Sequence, residues 1–196
     1  MPEASQAERQ GELRRAVAAV EARSSATADL PPLSAAAHEA AGAGLSLLRH
    51  RPRSEHELRG RLADKEFDAE AVDEAVSRLR VWGLLDDADF AQEWVRGRRR
   101  RRGRSAGALR RELQEKGVAE VHIADALAGI TESDERERAR ELVAERVARS
   151  AGAPVPDPRD PAHLAVRRRL VAFLERRGYP GGLALSVVDE VLAEER

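Results

Sequence analysis

The sequence contains no cysteine, few aromatic residues and no apolar run of membrane-spanning length. Without cysteine the chain forms neither a disulfide nor a thiolate metal site, which is typical of proteins from a reducing compartment. The first residues also lack the apolar segment of a secretory signal. We therefore expect a cytoplasmic protein that makes no contact with a membrane.

Patterns that accompany catalysis are absent as well. No metal-binding spacing such as HExxH connects the five histidines, which are His38, His50, His56, His122 and His163. No serine lies in a nucleophile-elbow pattern, and no glycine-rich phosphate loop follows a strand. The prediction is a protein that is not an enzyme and holds no metal or cofactor.

One acidic cluster permits two interpretations. Asp86, Asp87 and Asp89 precede an apolar helical pattern, where acidic residues cap a helix and favour its first turn. The same carboxylates could hold a divalent metal, as in a nuclease. We prefer the cap because no further ligand or base lies nearby, and metal-dependent cleavage lost in Asp87→Ala would support the nuclease.

Positive charge is concentrated in one stretch, although the formal net charge is only -1. Residues 96–111 include nine arginines and no acidic residue. Because nine like charges repel one another, they add little to the stability of an isolated fold. A partner with phosphates or carboxylates can instead bind the arginines bidentately. We predict a partner- or nucleic-acid-binding surface formed by Arg96, Arg98, Arg99, Arg100, Arg101, Arg102, Arg104, Arg110, Arg111 and Lys116. Secondary candidates are Arg49, Arg51, Arg53, Arg167, Arg168 and Arg169.

Glycines and aromatic residues refine this prediction. Gly97, Gly103 and Gly107 interrupt the basic stretch, so we expect its arginines at a helix end and in a flexible loop. Most of the few aromatic side chains fall at helical positions typical of a core, namely Phe67, Trp82, Phe90, Trp94 and Phe173. A stacking platform for single-stranded bases is therefore not expected, and any contact with DNA should be electrostatic and sequence-tolerant.

A helical pattern recurs three times along the chain. Each copy has two leucines four residues apart, a basic residue, a turn and a second apolar helix, and the leucine pairs are Leu58/Leu62, Leu109/Leu113 and Leu170/Leu174. A capping box at Ser54 and Glu57 begins the first copy. Gly117 and Gly178 occupy equivalent turns, where a left-handed residue ends a helix, and Glu66 stands there in the first copy.

The predicted fold class is all-α, with three tandem three-helix repeats forming an elongated curved array. We place a flexible tail at 1–34 and the repeats at 35–85, 86–131 and 132–196, with a proline-rich insert at 151–161 in the third. A unit of roughly 50 residues buries little surface alone, so stacking between repeats should stabilise the array.

Two ordered motifs resemble those of the RecX family. The first is Leu84-Leu85-Asp86-Asp87-Ala88-Asp89-Phe90-Ala91-Gln92-Glu93-Trp94-Val95-Arg96, and the second is Leu109-Arg110-Arg111-Glu112-Leu113-Gln114-Glu115-Lys116-Gly117-Val118. Upstream, Leu47-Leu48-Arg49, Arg51-Pro52-Arg53-Ser54 and Glu57-Leu58 are similar to the family's first-repeat opening. The resemblance extends over residues 40 to 130, and more loosely over 134 to 192.

The resemblance implies a modulator of the RecA recombinase. Family members bind RecA and the groove of the RecA–DNA filament, restrain filament assembly and reduce ATPase and strand-exchange activity, which modulates recombination and DNA repair. We expect a monomer with at most weak, non-specific DNA binding. Whether the arginines contact RecA or DNA stays open. The alternative is a general DNA-binding protein, such as a helix-turn-helix transcription factor whose motif is Ser105–Val118. A strong sequence preference in binding to naked duplex DNA would favour this alternative.

Overall fold

The computed structural model describes residues 30–149 and 156–194, and these residues form nine α-helices and no strand. The helices are α1 Ala35–His50, α2 Glu55–Ala63, α3 Ala69–Val81, α4 Asp87–Arg102, α5 Ala106–Glu115, α6 Glu120–Leu127, α7 Glu132–Ala148, α8 Pro161–Glu175 and α9 Gly181–Glu194. The all-α prediction is confirmed. Most of the predicted tail and the first part of the predicted insert lie outside the described residues. None of the helices described is long and apolar enough to cross a membrane.

The leucine pairs found in the sequence form the centre of three small cores. Leu58 and Leu62 are fully buried among α1, α2 and α3. The second pair is buried among α4, α5 and α6, and the third among α7, α8 and α9. The chain divides into two compact units, one ending at Asp87 and one beginning at Ala88. We call α1–α3, α4–α6 and α7–α9 the first, second and third triplets, and the cores of the second and third triplets thus belong to a single unit.

Buried serines begin the second helix of the first two triplets. Ser54 Oγ accepts the backbone N–H of Glu57 at 3.1 Å, and the Glu57 carboxylate accepts the Ser54 N–H at 3.4 Å, which confirms the predicted capping box. Ser105 is the N-cap of α5 and accepts the Ala108 N–H at 3.2 Å. Each hydroxyl satisfies a backbone donor that the helix itself leaves unpaired.

Three equivalent turns adopt the left-handed backbone conformation. The angle φ is 67° at Glu66, 71° at Gly117 and 91° at Gly178, so the predicted C-terminal turns are confirmed. Glycine tolerates positive φ at no steric cost, but a residue with a Cβ loses roughly 1–2 kcal/mol there. Among the described residues, Glu66 is the one non-glycine residue with a positive φ. The first turn therefore carries local strain that the other two avoid.

Substituting Glu66→Gly should stabilise the protein. Relief of the left-handed strain outweighs the extra freedom of glycine in the unfolded chain, and we expect a gain of roughly 0.5–1 kcal/mol in the free energy of unfolding. Urea unfolding followed by circular dichroism measures it. Glu66→Ala serves as the control, because it removes the same charge and keeps the Cβ. Equal midpoints for the two variants would contradict strain at this turn.

One predicted core residue is exposed. Trp82 has 38% of its surface accessible, so the interpretation of this side chain as part of the core was wrong. Helix α3 ends at Val81, and Trp82 is its C-cap residue, beyond the last helical position of the apolar face. The guanidinium carbon of Arg78 lies 6.0 Å from its ring centroid. Of the other four aromatic residues in that prediction, Phe90 is buried and the rest are half-buried.

Candidate polyanion-binding site

Most of the basic stretch is helical. Arg96 and Arg98 to Arg102 all lie in α4, with Gly97 buried inside the helix. The chain leaves α4 at Gly103, where φ is 57°, and α5 begins at Ala106. Only Gly103 to Ser105 connect the two helices, so Arg104 is the one arginine of the stretch outside a helix. Adjacent arginines therefore project in different directions around α4.

Two of these arginines neutralise a glutamate within the second triplet. Glu112 forms ion pairs with Arg98, whose Nε lies at 3.4 Å, and with Arg104, whose Nε lies at 3.0 Å. Its carboxylate also accepts a hydrogen bond from Trp94 Nε1 at 2.9 Å. The Arg98 guanidinium carbon lies 4.2 Å from the Trp94 ring centroid, and Lys116 Nζ lies at the same distance. These cation–π contacts stabilise the fold around Trp94. Arg98, Arg104 and Lys116 are therefore engaged inside the protein.

Arg99 joins the second triplet to the third. Its guanidinium forms an ion pair with Glu135 at the start of α7, and its Nη2 donates to the Asp134 carbonyl at 3.0 Å. Glu135 also accepts the backbone N–H of Ala106 at 3.1 Å, in the first turn of α5. This carboxylate thus satisfies donors from two helices. Arg99 contributes to packing between triplets.

Four arginines of the stretch remain available. Arg100, Arg101, Arg102 and Arg111 are exposed, and none of their side chains forms a hydrogen bond or ion pair with another residue in the described ranges. Two more have weak partners on the surface. Arg96 pairs with Glu93 at 3.2 Å, both well exposed, and Arg110 pairs with Glu120. Exposed pairs of this kind exchange readily with solvent or a ligand.

The secondary candidates also differ in availability. Arg51 contacts both carboxylate oxygens of Glu57 at 3.3 Å. Arg53 donates to the Leu47 carbonyl at 3.5 Å, and burial together with the neighbouring Arg51 charge lowers its pKa. Arg167 forms a bidentate pair with Asp189, and hydrogen bonding to that carboxylate raises the arginine pKa. The exposed and unpaired members in the described part of the chain are Arg49, Arg168 and Arg169.

The end of α4 borders a cavity of about 300 Å³ between the second and third triplets. Its walls consist of Arg100, Arg101, Arg102, Gly103, Arg138, Leu142, Glu145, Arg146, Arg149, Phe173 and Arg177. We call this the arginine cavity. Seven guanidinium groups line it, against a single carboxylate that pairs with Arg149 at 2.7 Å. The available arginines of α4 therefore meet further arginines from the third triplet.

Arg177 forms the most confined part of the wall. Its guanidinium carbon lies 3.7 Å from the Phe173 ring centroid, and its Nη1 donates to the Phe173 carbonyl at 3.2 Å. Burial lowers the pKa of Arg177, and the charges of Arg104 and Arg176 lower it further. Its Nε–H is buried and has no acceptor among the described residues. An anion in the cavity would offset this crowding of positive charge.

The sequence interpretation missed four arginines of the cavity. Arg138 and Arg146 lie in α7 and Arg149 is its C-cap residue, and their spacing of eight and three residues places them on one side of that helix. This spacing could have identified the three arginines from the sequence. The acidic residues of α7 offset their charge, however, so a count of net charge along the chain does not reveal them. Nothing in the sequence links Arg177, which follows α8, to the end of α4.

The acidic cluster has a structural role in the fold. The backbone N–H of Glu55, in the first turn of α2, donates to Asp87 Oδ1 at 2.8 Å. Within residues 30–149 and 156–194, no group of three or more His, Asp or Glu side chains could hold a metal ion. Asp87 thus satisfies a backbone donor in the first turn of α2.

Known proteins resemble this chain in sequence and in fold. Residues 40–79 match the family model for the first three-helix domain of RecX, and residues 86–127 match that for the second. The chain is 42% identical over 174 residues to "Regulatory protein RecX" of Mycobacterium avium (strain 104), covering 87% of this chain and 96% of that protein. It is 43% identical over 152 residues to "Regulatory protein RecX" of Mycobacterium marinum, covering 78% and 84%. The crystal structure of RecX from Lactobacillus salivarius is similar in fold, with a TM-score of 0.63 at 17% identity over 80% of this chain and 96% of that one.

Proposed function

Because the chain belongs to the RecX family, we propose that it is a non-enzymatic regulator of the RecA recombinase. It binds RecA and the groove of the RecA–DNA filament, and inhibits filament assembly, ATP hydrolysis and strand exchange. The curated relatives are named regulatory proteins, which supports the regulatory part of this proposal. On this proposal the protein acts in the cytoplasm as a monomer and modulates recombination and DNA repair.

The observation that carries the proposal is the set of unpaired arginines at the end of α4. Arg100, Arg101 and Arg102 are exposed, contact no carboxylate in the described ranges, and adjoin four more arginines in the cavity wall. A protein gains no stability from holding such charges together. A RecA–DNA filament presents phosphates, and guanidinium groups bind phosphate through charge-assisted hydrogen bonds. Contact of this type requires no reading of base sequence.

Basic residues recur at equivalent points of the first two triplets. Arg49 and Arg51 lie on either side of His50, the last residue of α1, and Arg100 and Arg102 occupy the equivalent positions in the last turn of α4. The buried caps Ser54 and Ser105 follow at the same spacing. Each of these two triplets thus offers a weak electrostatic contact where its first helix ends. Several weak contacts on one extended partner combine through effective concentration. The preferred target is therefore a long assembly with regularly repeated sites.

The direct test is a titration of the protein into RecA on single-stranded DNA. We expect ATP hydrolysis and strand exchange to decline as the protein is added, and the inhibition to weaken steeply with rising salt because counterions compete for the arginines. Undiminished RecA activity at a molar excess of folded protein would contradict the proposal. Tight, sequence-selective binding to naked duplex would favour the transcription-factor alternative.

A further inference from the structure

We propose that the arginine cavity is a binding site for the phosphate groups of a compact oligophosphate, such as inorganic triphosphate or the phosphate chain of a nucleotide. The inference goes beyond regulation of RecA, because the site is complete within this chain and requires no protein partner. Its phosphate chemistry is shared with a nucleic-acid backbone, which is the other source that the experiment must distinguish.

The composition of the wall is the first argument. Seven arginines and one glutamate surround the cavity, and the glutamate is already paired with Arg149. The three arginines from α4 have no partner among the residues described. Planar guanidinium groups donate in pairs to phosphate oxygens, which explains why arginine is selected where several phosphate oxygens must be held. The wall therefore favours a ligand with multiple negative oxygens.

The shape of the site is the second argument. A volume of about 300 Å³ lies at the lower end of the range for small-molecule pockets. The phosphates of a duplex are spread along its axis, so a duplex passing over the opening brings only a small part of its charge to one point. An oligophosphate carries several charges within a few bonds. It thus matches the concentration of guanidinium groups in one small cavity.

The unsatisfied and crowded guanidinium of Arg177 is the third argument. Its Nε–H has no acceptor within the described residues, and its guanidinium is held against Phe173 beside Arg104 and Arg146. A buried donor without an acceptor and a crowd of like charges both cost free energy. A bound polyanion lowers the electrostatic part of that cost. The same surroundings hold Arg177 in place before any ligand arrives.

The test is calorimetric titration of the full chain with inorganic triphosphate. The wild-type protein should bind it, and the double variant Arg101→Gln/Arg102→Gln should bind at least about tenfold more weakly, because two charge-assisted contacts are lost. The matched control is Arg136→Gln/Arg140→Gln, which removes the same charge from exposed positions on α7 outside the cavity. The control should retain the wild-type affinity within about twofold.

Two results would overturn the inference. One is a wild-type chain that gives no binding signal with triphosphate. The other is an equal loss of affinity in both double variants, which would indicate attraction by net charge alone. Circular dichroism verifies that both variants keep their helical content.

A short single-stranded oligonucleotide distinguishes the two phosphate sources. If it displaces triphosphate and also binds Arg101→Gln/Arg102→Gln weakly, the phosphates that the cavity accepts include those of a nucleic-acid backbone. If it binds both double variants equally, the cavity takes free oligophosphates. Either result supports a phosphate site. RecA is absent from these titrations, so a protein that inhibits RecA without binding triphosphate would contradict this inference alone.

Discussion

The triple variant Arg100→Gln/Arg101→Gln/Arg102→Gln should require about 100-fold more protein for half-inhibition of RecA ATP hydrolysis. Each side chain is exposed and unpaired within the described ranges, so each is free to make a charge-assisted contact worth roughly 1.5–3 kcal/mol. Three such contacts, even if they are only partly additive, exceed the roughly 2.8 kcal/mol that corresponds to 100-fold. The measurement is a titration of RecA on single-stranded DNA at fixed ionic strength.

Only three arginines of the basic stretch in α4 are substituted, because others contribute to the fold. Arg98 and Arg99 stay in place, since their ion pairs with Glu112 and Glu135 belong to the fold. Glutamine is a good helix former, so α4 should persist. The control is Arg136→Gln/Arg140→Gln/Arg159→Gln, which removes the same net charge from exposed sites outside the arginine cavity. Wild-type inhibition by a triple variant with intact helices would refute the assignment of the α4 arginines to binding.

Substituting Gly178→Ala should lower the free energy of unfolding by about 3 kcal/mol. With φ at 91°, a Cβ at this position is strained by roughly 1–2 kcal/mol. The same Cβ would lie 2.5 Å from Ala108 Cβ and 2.8 Å from Ser105 Oγ, and overpacking of this kind adds about 1–3 kcal/mol. Neither neighbour can rotate away, because Ala108 has no further side chain and Ser105 caps α5.

Gly117→Ala is the matched control for Gly178→Ala. Gly117 occupies the equivalent turn at φ 71° but is exposed, so its substitution should cost only the backbone strain of about 1 kcal/mol. Urea unfolding of both variants separates the packing contribution from the conformational one. Equal losses in the two variants would show that contact between the third triplet and α5 contributes nothing to stability.

Sequence periodicity predicted the parts of the fold that each helix determines by itself. The spacing of Leu58 and Leu62 identifies a buried face, and Ser54 with Glu57 identifies a helix start, because both signals depend on neighbours within a few residues. Trp82 shows the limit of the method. The period continues through position 82, but the helix ends one residue earlier and leaves the side chain exposed.

The candidate site was only partly predictable for a related reason. Neighbouring arginines of the basic stretch have the same side chain but different roles, since Arg99 joins two triplets and Arg100 lines the arginine cavity. The difference arises because successive residues point in different directions around a helix. Which helix ends meet is a property of tertiary packing. Arg177 reaches the same cavity because the backbone N–H of Ser105 donates to the Arg177 carbonyl at 3.1 Å, a contact between residues far apart in the chain.

The three left-handed turns also differ in how readily each accepts a side chain. At Glu66 the turn is exposed, so the side chain there costs only the backbone strain. At Gly178 the turn lies against α5, and any side chain meets Ala108. Equivalent turns of the same conformation therefore accept a side chain at different cost, set by whether a neighbouring triplet packs against the turn.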